Sequence, residues 1–197
     1  MKNRSAIDRK SPATEMPARR RLLQVALGMG AAMMLPLPVM ARGLMVPLAG
    51  RELSFLNLHT GERLKAEYWR NGRYVPDALR AVAIVLRDHR NNKIHPIDPH
   101  LLDLIHRLRG SVSSQEPFNV ISGYRSPESN ALMHEASAGV AAHSLHMEGR
   151  AIDIRLPGTG LAHVRQAALA LRSGGVGYYP DDDFVHVDTG AVRRWDA

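Results

Sequence analysis

Two short stretches of the chain hold the residue types that bind metal ions. The first is Ser144-Leu145-His146-Met147-Glu148-Gly149-Arg150-Ala151-Ile152-Asp153, and the second is Asp183-Phe184-Val185-His186-Val187-Asp188. A catalytic zinc takes three protein ligands from neutral imidazole and carboxylate and keeps a fourth position for water. His146, Asp153 and His186 supply that set. His146 and Asp153 stand seven positions apart, a span of roughly 23 Å in extended chain at about 3.3 Å per residue, far beyond the reach of one ion with bonds near ~2 Å. The chain between them must therefore fold back. Glu148-Gly149 is the expected reversal, because glycine accepts the positive φ of a tight turn. Residues 151–156 then alternate as a strand does, which places His146 on a loop and Asp153 on a strand facing it.

The elements around these ligands are legible in the periodicity. Leu53, Phe55, Leu56 and Leu58, then Leu64, Ala66 and Tyr68, read as a small β unit, with Asn71-Gly72 as a hairpin turn whose central positions want positive φ. From Pro76 the period becomes helical through Leu79, Val82, Ala83 and Leu86. It does so again through Leu101, Leu104, Ile105 and Leu108, between Asp98-Pro99 and Gly110. Ser126-Pro127-Glu128 opens a third helix, and residues 160–173, stopped by Gly174-Gly175, form a fourth. Residues 118–122, 151–156, 176–179 and 184–188 are short strands. This segregation predicts an α+β fold in which an antiparallel sheet carries the single-zinc site and packs with about four helices.

The order Ser-x-His-x-x-Gly-x-Ala-x-Asp resembles the single-zinc peptidases that include D-Ala-D-Ala peptidases, phage endolysins and the hedgehog fold. Further support comes from Phe55-Leu56-Asn57-Leu58-His59-Thr60-Gly61-Glu62 and Ile121-Ser122-Gly123-Tyr124-Arg125-Ser126 upstream. Gly174-Gly175-Val176-Gly177-Tyr178-Tyr179-Pro180 and the Phe-Val-His-Val-Asp-Thr-Gly strand follow downstream. Within that family the pattern is most similar to the MepK-like murein endopeptidase branch, over nearly all of the chain past the leader.

The resemblance implies roles. A zinc hydrolase needs a carboxylate to take the proton from the water and pass it to the leaving amine. Related branches place that acid three positions before the last histidine, here Asp183. The MepK-like branch does not keep an acid there, and Asp181-Asp182-Asp183 also reads as a polar turn. Asp188, two along the strand from His186 and on the same face, is the rival, as base or as support for the ligand. Arg125, between a strand and a capped helix, has the planar fork that suits a substrate carboxylate. It is the arginine that the family uses on its peptide, and Ser144 is assigned to substrate with it. A local salt bridge is the alternative for Arg125. His143 falls at the rim, and His134 and His163 are structural or exposed. Tyr178 and Tyr179 wall the cleft or belong to the core, whereas packing is the default for Trp69 and Trp195.

The whole chain of 197 residues, 45% hydrophobic, suffices for one domain with its own core. Its net charge of +7 sits mostly in a leader: residues 1–41 carry seven Lys or Arg against two acids, and residues 42–197 carry nineteen against seventeen. A nucleic-acid partner is not indicated. Arg19-Arg20-Arg21-Leu22-Leu23 ahead of an uncharged run, closed by Pro38-Val39-Met40-Ala41, reads as an export signal of twin-arginine type, with a general secretory signal or a membrane anchor as alternatives. The absence of cysteine excludes disulfides and leaves oxygen and nitrogen donors for any metal.

The expected organisation is an export signal over residues 1–41, an N-terminal β segment over 42–75 and a zinc peptidase domain over 76–197. The expected product is a periplasmic enzyme holding one Zn2+ and hydrolysing cross-links between peptidoglycan stem peptides, meeting the membrane only during export. The resemblance implies action on both D,D and L,D cross-links. A non-catalytic murein-binding protein and a D-Ala carboxypeptidase are the alternatives.

Overall fold

The computed structural model describes residues 49–137 and 139–197. The export signal expected over residues 1–41 lies outside the described residues. Arg51–Asn57 (β1) and Arg63–Arg70 (β2) pair antiparallel, and Asn71-Gly72, both at positive φ, turn the chain into Arg73–Tyr74 (β3). Two helices follow, Pro76–Val85 (α1) and Pro99–Ser111 (α2). Each starts on a proline, where the missing N–H costs nothing. Asp98 caps α2 by accepting from His100 N at 2.9 Å, while Val75 gives α1 no side-chain cap. The second helix runs through Gly110, which the sequence had placed past its end.

Phe118–Ser122 (β4) leads to Pro127–Ala136 (α3), capped by the Ser126 hydroxyl accepting from Ser129 N. A single 3₁₀ turn, Leu145–Glu148, precedes Ala151–Arg155 (β5), and Leu161–Leu171 (α4) precedes Gly175–Tyr179 (β6), Phe184–Asp188 (β7) and Arg193–Asp196 (β8). The eight strands form one sheet in the order β3-β2-β1-β4-β5-β7-β6-β8. Among the described residues, the strands of the segment expected over 42–75 thus share one sheet with those of residues 118–196.

The α+β class with four helices is as the sequence indicated, but the sheet is mixed. Five pairings are antiparallel, whereas β1·β4 and β6·β8 run parallel. Parallel neighbours need a long crossover: α1 and α2 occupy the connection from β1 to β4.

Ile152 and Ile154 on β5, and Val185 and Val187 on β7, are fully buried in the core together with Leu101, Ile105 and Val164 of the helices. At about 25 cal/mol per Å² of apolar surface removed from water, such side chains supply most of the drive to fold. Strand alternation then decides the rest: with these residues turned to the helices, Asp153, His186 and Asp188 must take the opposite face.

Candidate metal centre

One cross-strand row builds the site. Ser122 pairs with Asp153, Asp153 with His186, His186 with Gly177, and Gly177 with Trp195. Direct partners share a face, so this row lays its side chains along one line across β4, β5, β7, β6 and β8. A bulge in β4 puts Ser122, and not Ile121, opposite Asp153; bulges of this kind re-aim side chains beside functional sites. His146 arrives from outside the sheet on the 3₁₀ turn. Ser144 caps that turn, its Oγ accepting from His146 N at 3.4 Å, and Gly149 ends it at φ +65°. A Cβ at Gly149 would lie 2.2 Å from Pro96 O, so the reversal expected at Glu148-Gly149 needs glycine for space as well as for φ.

His146, Asp153 and His186 are buried and their ligand atoms converge. His186 Nδ1 lies 2.8 Å from Asp153 Oδ1 and 3.2 Å from His146 Nε2, which is 3.3 Å from the same carboxylate oxygen. The outer nitrogens are committed elsewhere. His146 Nδ1 donates to Gly123 O at 2.7 Å and His186 Nε2 donates to Asp188 Oδ2 at 3.0 Å. When both rings are neutral, as metal ligation requires, and keep these outer N–H groups, three acceptors (two bare nitrogens and a carboxylate) face one another with no donor among them. A cation between them resolves that repulsion, and metal-ligating imidazoles hold their second N–H in just this way. The donor set of nitrogen and oxygen suits a first-row divalent ion, zinc among them.

Without a metal, a proton on His186 takes the cation's place. Burial pushes Asp153 up, but the charges and hydrogen bonds of His146 and His186 outweigh it and hold the carboxyl well below the usual range. Burial pushes His186 down, yet Asp153 and Asp188 hold it up to about 9. Asp188, fully buried, is lowered despite burial by His186, Arg193 and the amides of Gly175 and Gly190. Its Oδ1 accepts from Gly175 N at 2.9 Å and Gly190 N at 2.8 Å, and its Oδ2 from Arg193 Nη2 at 2.7 Å. Both carboxylate oxygens of Asp188 are thus engaged, Oδ2 by His186 and Arg193 and Oδ1 by the two amides and Arg193.

The trio sits in a cleft of about 560 Å³. Arg125 lines it, buried, with Nη1 donating to Asn130 Oδ1 at 3.3 Å, Nη2 3.8 Å from Asp153 Oδ2 and Nε without any hydrogen-bond partner. Burial pushes its pKa down, with Asp153 opposing. Ser144 and His143 also line the cleft, and His143 is exposed at its rim. His134 Nδ1 donates to Val140 O at 2.6 Å on the exposed side of α3, and His163 is exposed on α4. Asp183 occupies a left-handed turn position at φ +55° and its carboxylate takes a hydrogen bond from Arg155 Nη1 at 2.5 Å. Its neighbour Asp182 is the aspartate of that turn that lines the cleft.

The two tyrosines separate: Tyr179 faces the cleft and Tyr178 packs on the core beneath Arg165. Trp195, for which packing was the default, lines the cleft with its ring 5.1 Å from that of His186 and its Nε1 donating to Tyr179 Oη at 2.9 Å. Gly177 is what admits it, since a Cβ there would meet the indole at 2.6 Å. The sequence signal that could have found Trp195 is Gly177 in the Gly-x-Gly-Tyr-Tyr run of β6, a strand glycine marking close approach.

The sequence model of the peptidoglycan L,D-endopeptidase MepK family matches residues 47–195, which takes in every residue of the row and all three candidate ligands. The chain belongs to that family. A MepK relative from Escherichia coli strain K12, a peptidoglycan L,D-endopeptidase by name, is 44% identical over 178 residues, covering 90% of this chain and 96% of its own length. The relative from Shigella flexneri bearing the same name matches to the same extent. A Haemophilus influenzae relative is 42% identical over 146 residues, 74% of this chain and 78% of its own. Family membership makes the chain a metallopeptidase, and the buried His146, Asp153 and His186 form a group that can hold the metal.

Proposed function

We propose that the chain is a zinc-dependent murein endopeptidase that cuts peptide cross-links of peptidoglycan, the L,D bond foremost, as the names of its MepK relatives indicate. The observation that carries the proposal is the buried convergence of two imidazole nitrogens and a carboxylate oxygen, with the outer N–H groups of both rings already committed. When bound, a zinc ion supplies the Lewis acid for the scissile carbonyl and lowers the pKa of a water.

The chain's own groups do the rest. Gly123 O and Asp188 fix the two rings so that one bare nitrogen of each points inward. Arg125, a guanidinium that lines the cleft with its planar fork, is suited to grip a substrate carboxylate. Ser144 holds the 3₁₀ turn and borders the same cleft. Asp183 is proposed to take the water proton at its carboxylate and deliver it to the leaving amine nitrogen, which requires it to exchange its bond to Arg155 for the water. The cleft continues on both sides of the ligands, toward His59 and Arg90 in one direction and Trp195 in the other. That supports cleavage within a chain over trimming of a terminal D-alanine. A substrate outside the cytoplasmic membrane fits export by the leader of residues 1–41, with the twin-arginine pair Arg19-Arg20 as its proposed signal.

Murein binding without turnover draws on one observation: Asp183 is held by Arg155 and Asp188 by five N–H groups. Product analysis of cross-linked sacculi, incubated with the protein and with the protein plus chelator, separates the readings. Monomeric muropeptides that disappear with chelator are expected. Loss of a single alanine would indicate trimming, and no change would indicate binding alone.

A further inference from the structure

The two ends of the cleft differ in chemistry. At one end stand Trp195 and Tyr179, and the arginine beside them, Arg193, is neutralised by Asp188. At the other end stand His59 and Arg90. Arg90 is exposed, and among the described residues its guanidinium has no hydrogen-bond acceptor. The nearest carboxylate, Asp88, is 3.9 Å away and buried, with its oxygens already taken by Ser126 N, Ser126 Oγ and the backbone of Arg90 itself.

The loop that carries Arg90 is held firmly. Asp88 N donates to Lys93 O at 3.0 Å, Asn92 N to Asp88 O at 2.8 Å, and Asn91 Nδ2 to Ser126 Oγ at 2.7 Å. His89 stacks flat on His59, with ring centroids 3.7 Å apart and planes within 9°, and His59 Nε2 is tied to Ile121 O at 2.9 Å. Burial, with the Arg90 charge adding to it, holds His89 down to about 4, so His89 carries no charge at neutral pH and the positive charge contributed by this loop at this end is the guanidinium's. The guanidinium groups around the other sizeable cavity, on the α2 side, are by contrast engaged: Arg51 with Asp103, and Arg150 with Glu148 and Thr189.

We propose that Arg90 is a specificity-determining residue that binds a free carboxylate of the substrate peptide, so that the enzyme selects stem peptides whose diamino-dicarboxylic residue is unamidated. A guanidinium on a firmly held loop, whose nearest carboxylate is 3.9 Å away and already engaged, is suited to a substrate carboxylate that lies past the scissile bond. The inference rests on the endopeptidase reading above.

The test uses the purified zinc-loaded protein and two cross-linked muropeptide dimers, one with free carboxylates on the diamino acid and one with those carboxylates amidated. For Arg90→Gln, KM on the free dimer is expected to rise roughly tenfold, the scale of one charged hydrogen bond, with kcat held. On the amidated dimer the variant matches the wild type, whose own KM is already raised. Arg90→Lys should recover part of the loss, which a merely structural role would not give. An equal KM change on both dimers, or none on the free dimer, overturns the role of Arg90 while leaving the endopeptidase reading intact. Failure of the wild type to cut either dimer removes both.

Discussion

His186 donates its Nε2–H to Asp188 Oδ2 at 3.0 Å, and that bond determines that Nδ1 is the nitrogen left facing Asp153 and His146. Asp188→Asn keeps the shape but removes the charge that orients and polarises the ring. Zinc affinity is expected to fall roughly 10- to 100-fold, read by competition with a chromophoric chelator. Unchanged affinity would confine Asp188 to holding Gly175, Gly190 and Arg193.

Gly177 stands opposite His186 and beneath Trp195. Gly177→Ala would place a methyl 2.6 Å from the indole, so Trp195 must move and the cleft wall with it. The expected cost is about 1–3 kcal/mol of stability, the usual range for overpacking, together with a shift in tryptophan fluorescence and a raised KM. Zinc content should stay at the wild-type level, because no ligand moves.

Much of this site was readable because its determinants are local. The reversal at Gly149, the alternation that puts Asp153 and His186 on one face, the periods of α1 and α2, the start of α3 and the stop of α4 all follow from neighbours in the chain. What escaped depends on distant partners. Arg193–Asp196 is four residues without apolar alternation, and becomes a strand by pairing with β6 and seating Trp195 on Gly177. The parallel pairing of β1 with β4 spans two helices, and no local signal marks it. The choice among Asp181, Asp182 and Asp183 depends on turn geometry and on Arg155, a partner from another strand.

Asp183→Asn is expected to lower kcat by about 10²- to 10⁴-fold, the scale of a lost general base, with KM and zinc content little changed. Asp182→Asn serves as the comparison, since Asp182 already lines the cleft. If Asp182→Asn carries the loss and Asp183→Asn does not, the proton acceptor is the neighbour.

His89 adds a pH dependence of stability away from the metal. Its folded pKa is held down to about 4 from an ordinary 6.5. Between these values the unfolded chain binds a proton that the folded chain refuses, so the contribution is complete above about pH 6.5 and is lost as pH falls toward about 4. In chelated protein, the drop in Tm from pH 7 to pH 5 should be smaller for His89→Gln than for wild type. The ring is half-exposed, so solvent screening reduces the effect. Equal drops would show that His89 titrates alike in both states.

The most direct test of the central claim is the metal content of the purified protein and of His146→Ala, Asp153→Ala and His186→Ala, measured beside circular dichroism. One zinc per chain in the wild type and almost none in the three variants, all of them still folded, is the expected result, because an open catalytic site rests on a scaffold built by the rest of the chain. Stoichiometric zinc in any one of the variants, or none in the wild type, would contradict a metal centre built from these three side chains.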